Sequence, residues 1–220
     1  MLVAIAGAHG KIARRLTGLL VAEGDSVIGL IRNPDHATDV SRDGASPSVC
    51  DLEHATVGEI ASGIAGADAA VFAAGAGPGS GAARKLTMDR DGAIKLLQAA
   101  IKAGVQRYAI ISSVGAENPP DGDDVFSVYL RAKAGADEKA RDSDRDWTII
   151  RPGRLTDAPG TGRVRIDSAP FRGQIPRDDV AAVVVRLLHD PRAVRRILYV
   201  NGGDESIGQA LEDILSTDGR

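Results

Sequence analysis

Residues 2–6, Leu-Val-Ala-Ile-Ala, form an unbroken apolar run of strand length that enters at once the turn Gly7-Ala8-His9-Gly10-Lys11-Ile12-Ala13. A strand with no polar face has to be covered on both sides, which places it inside a parallel sheet rather than at a solvated surface. The segment after the turn carries Ile12, Leu16, Leu19 and Leu20 at helical spacing. Strand, glycine turn and amphipathic helix in succession leave few folds open. In this setting Gly7 permits the tight turn, Gly10 lets a pyrophosphate approach the backbone, and Ala13 keeps the helix close to the sheet. The start of the helix then offers free N–H groups and a positive dipole end to the phosphates. Without a ligand the same residues would make only a turn. The apolar strand before it and the amphipathic helix after it favour a dinucleotide site containing Gly7, His9, Gly10, Lys11 and Ile12.

The rest of the chain repeats this alternation. Strands are expected at 26–31, 47–50, 69–74, 106–112, 147–151 and 197–200. Helices are expected at 53–64, 82–103, 125–142, 180–189 and 207–215, with Gly104 closing the second of these. Apolar strands alternating with helices give an α/β fold, a doubly wound parallel sheet with helices on both faces. No linker divides the 220 residues, so residues 1–220 are expected to form a single domain. The tract 152–178 is rich in Gly, Pro and Arg and breaks the rhythm, with one short strand at 163–166. An irregular stretch of that length in a compact domain points to a binding loop, here a small C-terminal substrate-binding region.

The end of the second strand distinguishes the two common dinucleotides. A carboxylate there would bond a ribose 2′-hydroxyl, but the chain has Arg32, followed by Asn33 and Pro34. A guanidinium suits a 2′-phosphate, so NADP is favoured over NAD. Asp51, after the third strand, either accepts a hydrogen bond from the adenine amino group or caps the helix expected from Glu53. Ala73, Ala74 and Gly75 are small enough for the cofactor to lie against them.

Tyr129 and Lys133 are four residues apart on an expected helix, which puts phenol and ammonium on one face. A cation beside a phenol favours loss of its proton and makes Tyr a usable general acid. Ser112 and Ser113 end the fifth strand, at the sheet edge where such folds hold their ligands. Asn118 to Asp124 forms an acidic loop between Ser113 and Tyr129. It would repel anions and so favours a neutral substrate.

With these residues in place, the chain resembles the atypical short-chain dehydrogenases/reductases, in the branch of the NAD(P)-dependent epimerases and dehydratases and the NmrA-like NAD(P)H-binding proteins. The resemblance rests on residues 7–13, 68–77, 88–116, 129–137, 146–155 and 175–181, and so covers nearly the whole chain. It implies a Rossmann-like sheet, NADP at the glycine loop, and a catalytic set of Ser113 as carbonyl binder, Tyr129 as acid/base and Lys133 as ribose-binding lysine. Leu52 and Pro152 join the cofactor contacts expected on this basis. Asp89 stands where the family usually has an active-site Asn. The implied activity is NADP-dependent oxidoreduction of a small carbonyl or alcohol, which the acidic loop would favour in neutral form. The alternatives are a non-catalytic NADP(H)-binding redox sensor and an epimerase or dehydratase acting on a sugar-like substrate.

Composition narrows the remaining possibilities. The 27 Lys and Arg against 30 Asp and Glu give a net charge of −3, which argues against nucleic acid as the partner. One cysteine, Cys50, excludes an internal disulfide, and four scattered histidines lack a zinc-binding spacing. No basic segment precedes the first apolar residues, and no apolar window approaches the ~20 residues that span a bilayer. The expectation is a cytoplasmic monomer or homodimer with no membrane partner.

Overall fold

A computed structural model describes residues 1–77 and 79–217. The strands are β1 (Leu2–Ala6), β2 (Ser26–Ile31), β3 (Ser46–Val49), β4 (Ala69–Phe72), β5 (Arg107–Ile111) and β6 (Asp146–Pro152). They continue with β7 (Arg154–Thr156), β8 (Arg163–Asp167), β9 (Gln174–Pro176), β10 (Arg196–Gly202) and β11 (Glu205–Ser206). Nine of them make one sheet in the order β11-β8-β10-β6-β5-β4-β1-β2-β3, and β7 pairs with β9 in a separate two-stranded sheet. The run β3-β2-β1-β4-β5-β6 is parallel throughout, the order of a doubly wound dinucleotide fold. Beyond β6 the sheet continues with parallel β10 and then with antiparallel β8 and β11.

Both faces of the sheet are covered, as the apolar β1 requires. Val3 and Ile5 join one core with helices α1 (Lys11–Ala22), α7 (Arg177–His189) and α8 (Ile207–Thr217). Ala4 and Ala6 join the other, with α3 (Val57–Gly63), α5 (Ala93–Ala103) and α6 (Val125–Arg141). A short helix, α2 (Ala37–Arg42), connects β2 to β3 behind a one-turn 3-10 segment, Pro34–His36, and the periodicity of the sequence gave no sign of either.

Several expected boundaries shift for local reasons. The helix expected from Glu53 begins at Val57, because Thr56 and Glu59 form a capping box. The Glu59 N–H donates to Thr56 Oγ1 at 3.2 Å, and the Thr56 N–H donates to Glu59 Oε2 at 2.8 Å. Thr56→Ala is therefore expected to lower stability by about 1 kcal/mol, measurable as a shifted urea midpoint with an unchanged slope. Asp51 does not cap that helix. It accepts from the Glu53 N–H at 3.0 Å and pairs with His54 at 2.9 Å. The helix expected from Val180 starts three residues earlier, after Pro176. Asp178 and Asp179, either of which could have capped a helix starting at Val180, thus lie inside its first turn, and Asp179 accepts from the N–H groups of Thr161 and Gly162 at 3.0 and 2.8 Å.

Two differences bear on function. The segment expected as one long helix over 82–103 consists of α4 (Ala82–Arg84), a π-helical stretch over Lys85–Gly92, and α5. The π stretch turns Met88 and Asp89 into the interior. The tract 152–178 contains β7 and β9 as well as β8. Those two strands are short and flank Gly153 and Gly173. A side chain at either glycine would overlap the buried Asn201 of β10, whose amide nitrogen donates to the Phe171 carbonyl at 3.2 Å.

Candidate functional site

Two clefts open along the carboxyl ends of the parallel strands. The first, of about 420 Å³, lies where the strand order reverses between β1 and β4, the crevice that doubly wound folds use for ligands. Gly7, His9 and Gly10 line it from the turn after β1, Arg32 from the end of β2, and Ala73, Ala74 and Gly75 from the end of β4. The turn is tight. Gly10 donates to the Gly7 carbonyl at 2.8 Å, and the N–H groups of Gly7 and Ala8 both donate to Leu30. Gly7 has φ +78°, and a Cβ there would meet Ala74 Cα at 2.6 Å, so backbone and backbone pass with no room for a side chain. Gly10 caps α1 without a side-chain bond, and no acidic residue occupies the first turn. The first amides of α1 therefore remain available to an anion.

The residues at the far end of this cleft are charged. Arg32 is exposed and lies 3.5 Å from Glu53, which is held more closely by Arg84 at 3.0 Å and by Thr87 at 2.7 Å. Burial pushes the Glu53 carboxyl up, but the bonds from Thr87 and Arg84 outweigh it and hold Glu53 below the ordinary range. Arg84 lines the cleft with Asn33, His36 and Met88. Nothing in the sequence pattern marks these four for a cofactor role. Arg84 precedes the π stretch, whose turn is invisible to a helical periodicity, and His36 sits in the unforeseen 3-10 segment. There it stacks on His9 with ring centroids 3.7 Å apart, and His9 bonds Asp39 at 3.1 Å.

Other expected cofactor residues sit elsewhere. Ile12 and Leu52 are buried in the two cores, and Pro152 is buried at the end of β6. Lys11 points away from the cleft lining and pairs with Asp157 at 2.6 Å.

The second cleft, of about 1080 Å³, is lined by Ser113, Glu117, Phe126 and Tyr129 on one side and by Arg154, Phe171, Arg172 and Arg177 on the other. β5 delivers Ser113, α6 delivers Tyr129, and the β7–β9 sheet with the loop before it supplies the facing wall. Lys133 underlies this cleft without lining it. It is 3% exposed, donates to the Ile111 carbonyl at 2.9 Å, and has its ammonium 5.9 Å from the Tyr129 ring centroid. Asp89, 2% exposed, lies 3.7 Å from that ammonium and accepts from the Ala76 N–H at 3.2 Å. Asp89 thus links the amine beneath Tyr129 to the β4 rim of the first cleft. Lys85 makes a second link, 5.5 Å from the Tyr129 ring and 3.1 Å from the Gly77 carbonyl.

A buried network supports the floor. Asp137 accepts from Ser112 at 2.8 Å and from Arg151 at 2.9 and 3.0 Å, and Arg151 donates to the Tyr199 hydroxyl at 2.7 Å. Burial raises the Asp137 carboxyl, against the opposing pull of Arg151 and Ser112. The ion pair fixes the segment that leads from Ser112 into Ser113. No helix among the described residues is long and apolar enough to cross a membrane.

A glycine turn against a small-residue strand end, beside a second cleft holding a Ser and a Tyr-Lys pair, defines a nucleotide-binding Rossmann-like domain of the reductase and epimerase kind. Its residues 7–191 match the family model described as NAD(P)H-binding, and the chain belongs to that family. It is 35% identical to the uncharacterized sugar epimerase YhfK of Bacillus subtilis, over 97% of this chain and 100% of that one. Among solved structures, a Bacillus halodurans protein provisionally named an NAD-dependent epimerase/dehydratase superposes with a TM-score of 0.91 at 35% identity, covering 97% of this chain and 100% of that one. The oxidoreductase ylbE of Lactococcus lactis superposes with a TM-score of 0.87 at 27% identity, over 100% and 99% of the respective chains.

Proposed function

We propose that the chain is an NADP-dependent reductase of small carbonyl compounds, with the dinucleotide in the first cleft and the substrate in the second. The observation that carries the reading is the joint lining of the larger cleft by Ser113 and Tyr129, with the Lys133 ammonium beneath the phenol and tied through Asp89 to the rim of the dinucleotide cleft. The small-residue cradle of Gly7, Gly10, Ala73 and Ala74 and the uncapped start of α1 fit a pyrophosphate. When bound, the nicotinamide supplies hydride to the carbonyl carbon. Ser113 holds the carbonyl oxygen and Tyr129 delivers its proton to that oxygen. The ammonium groups of Lys133 and Lys85 balance the negative charge left on the Tyr129 oxygen until water reprotonates it. Lys133 acts through Tyr129 and Asp89, because its hydrogen bond to the Ile111 carbonyl and its ion pair with Asp89 keep it inside the fold.

Arg32, with Arg84 and Asn33 beside it, is assigned to the 2′-phosphate. One charge-assisted contact is worth ~1.5–3 kcal/mol, so Arg32→Ala should weaken NADPH binding roughly ten- to hundredfold and leave NADH nearly unchanged. Titration of both cofactors by fluorescence checks this, and equal affinities for the two in the unmutated protein would remove the 2′-phosphate assignment. The test of the reaction itself is a panel of carbonyl compounds with NADPH, followed by loss of its absorbance. NADPH binding without turnover of any of them would leave a sensor rather than an enzyme.

A further inference from the structure

We infer that the larger cleft takes an anionic substrate, a carboxylate- or sulfonate-bearing molecule with an aromatic body, instead of the neutral compound suggested by the acidic loop. The inference rests on the reading of that cleft as the substrate site.

The loop acids do not face the cleft. Asp124 caps α6 by accepting from the N–H groups of Phe126 and Ser127 at 3.0 and 3.1 Å, and Asp123 stands 4.0 Å from Arg131. Neither they nor Asp121 line the cavity. Its acidic lining residue is Glu117, whose carboxylate already accepts from the Gly115 N–H at 2.8 Å and lies 3.7 Å from Arg151.

Three arginines face the same space. Arg177 has a partner, Asp157 at 2.8 Å, which Lys11 shares. Arg154 and Arg172 have no carboxylate partner among the described residues, in a chain where most arginines hold one. Their position is built by the fold: Arg154 opens β7, which pairs with β9, and Arg172 lies two residues before β9. The cleft therefore carries a net positive lining opposite Ser113 and Tyr129. Arg154 and Arg172 are exposed on the cleft wall, and guanidinium forks match planar carboxylates and sulfonates. The apolar part of the substrate is defined by Phe126 and Phe171. Phe126 is 62% exposed although aromatic, and its ring lies 6.0 Å from that of Tyr129. Phe171 has the Arg165 guanidinium 4.5 Å from its centroid, so one ring face is already covered and the cleft side is left for a ligand.

The test uses two dyes of one shape, 1-anilinonaphthalene-8-sulfonate and neutral N-phenyl-1-naphthylamine, titrated by fluorescence into the full chain with saturating NADP⁺. The sulfonate is expected to bind at least tenfold more tightly than the neutral dye and to weaken between 50 and 500 mM salt, settings of roughly 14 and 4 Å screening length. The double variant Arg154→Gln/Arg172→Gln should lose at least tenfold of the sulfonate affinity and keep that of the neutral dye. Lys139→Gln/Arg141→Gln, which removes the same charge from the far end of α6, should change neither. Equal binding of the two dyes, sulfonate binding untouched by the cleft variant, or no binding of either would each overturn the inference. None of these readouts depends on turnover, so a protein inactive on the carbonyl panel that still prefers the sulfonate would refute the reductase reading and leave the ligand class of the cleft standing.

Discussion

Tyr129→Phe is expected to lower kcat by roughly 10²–10⁴ while leaving NADPH binding within about twofold, because it removes one proton donor and no cofactor contact. The variant is conservative here for a structural reason. No hydrogen bond from the Tyr129 hydroxyl is formed to the described residues, and the ring keeps its contacts with Phe126 and the two lysines. Far-ultraviolet circular dichroism should therefore be unchanged. Lys133→Ala is a poorer probe. It would strip the buried Asp89 of its cation, and an uncompensated buried carboxylate costs about 3–5 kcal/mol, so lost activity would be mixed with lost stability. Ser113→Ala avoids that confusion and should cost roughly 10²–10³ in kcat, as a single oxyanion donor does. Activity that survives Tyr129→Phe would assign the proton to another group, and Asp89 or a bound water would be the next candidates.

Gly10→Val should abolish binding of NADPH and NADH alike, with the fold retained. Gly10 has φ −68° and ψ 153°, which a branched residue adopts without strain. The Cβ would sit 3.0 Å from the Gly7 carbonyl and 3.8 Å from that of Ala73, with the branched methyls filling the mouth of a cleft of about 420 Å³. A loss exceeding a hundredfold for both cofactors by equilibrium titration is the expected outcome. Gly7→Val would not serve, since φ +78° and the overlap with Ala74 would unsettle the strand–turn junction before any ligand arrived. Normal NADPH binding by Gly10→Val would mean that the pyrophosphate lies elsewhere.

The strands and most helices were legible because burial on both faces writes itself into the sequence as unbroken apolar runs. The turn at Gly7 and Gly10 was legible for a related reason, since close backbone approach demands glycine wherever it occurs. What escaped notice lacks such a mark. β7 and β9 are three residues each, with one apolar side chain apiece turned inward, too little for a period of two to emerge. The π stretch over Lys85–Gly92 has the composition of an ordinary solvated helix, yet its wider turn decides that Asp89 faces Lys133. Arg84 and two of the wall arginines adjoin those same unmarked segments: Arg84 comes just before the π stretch, Arg154 opens β7 and Arg172 lies two residues before β9. Charge along the chain does not map directly onto the cleft: the acids at 121–124 are near Tyr129 in sequence, but one caps a helix and the others stay outside the lining, while the arginines that line it come from more than twenty residues further on.

The two margins of the nine-stranded sheet have a consequence for how copies of this chain meet. At one margin β3 is four residues long and carries Pro47, which lacks an N–H. At the other, β11 is two residues long and begins with Glu205. Neither margin presents a row of free donors and acceptors long enough to template a further strand. Edge-to-edge pairing of the large sheet between copies is thereby discouraged.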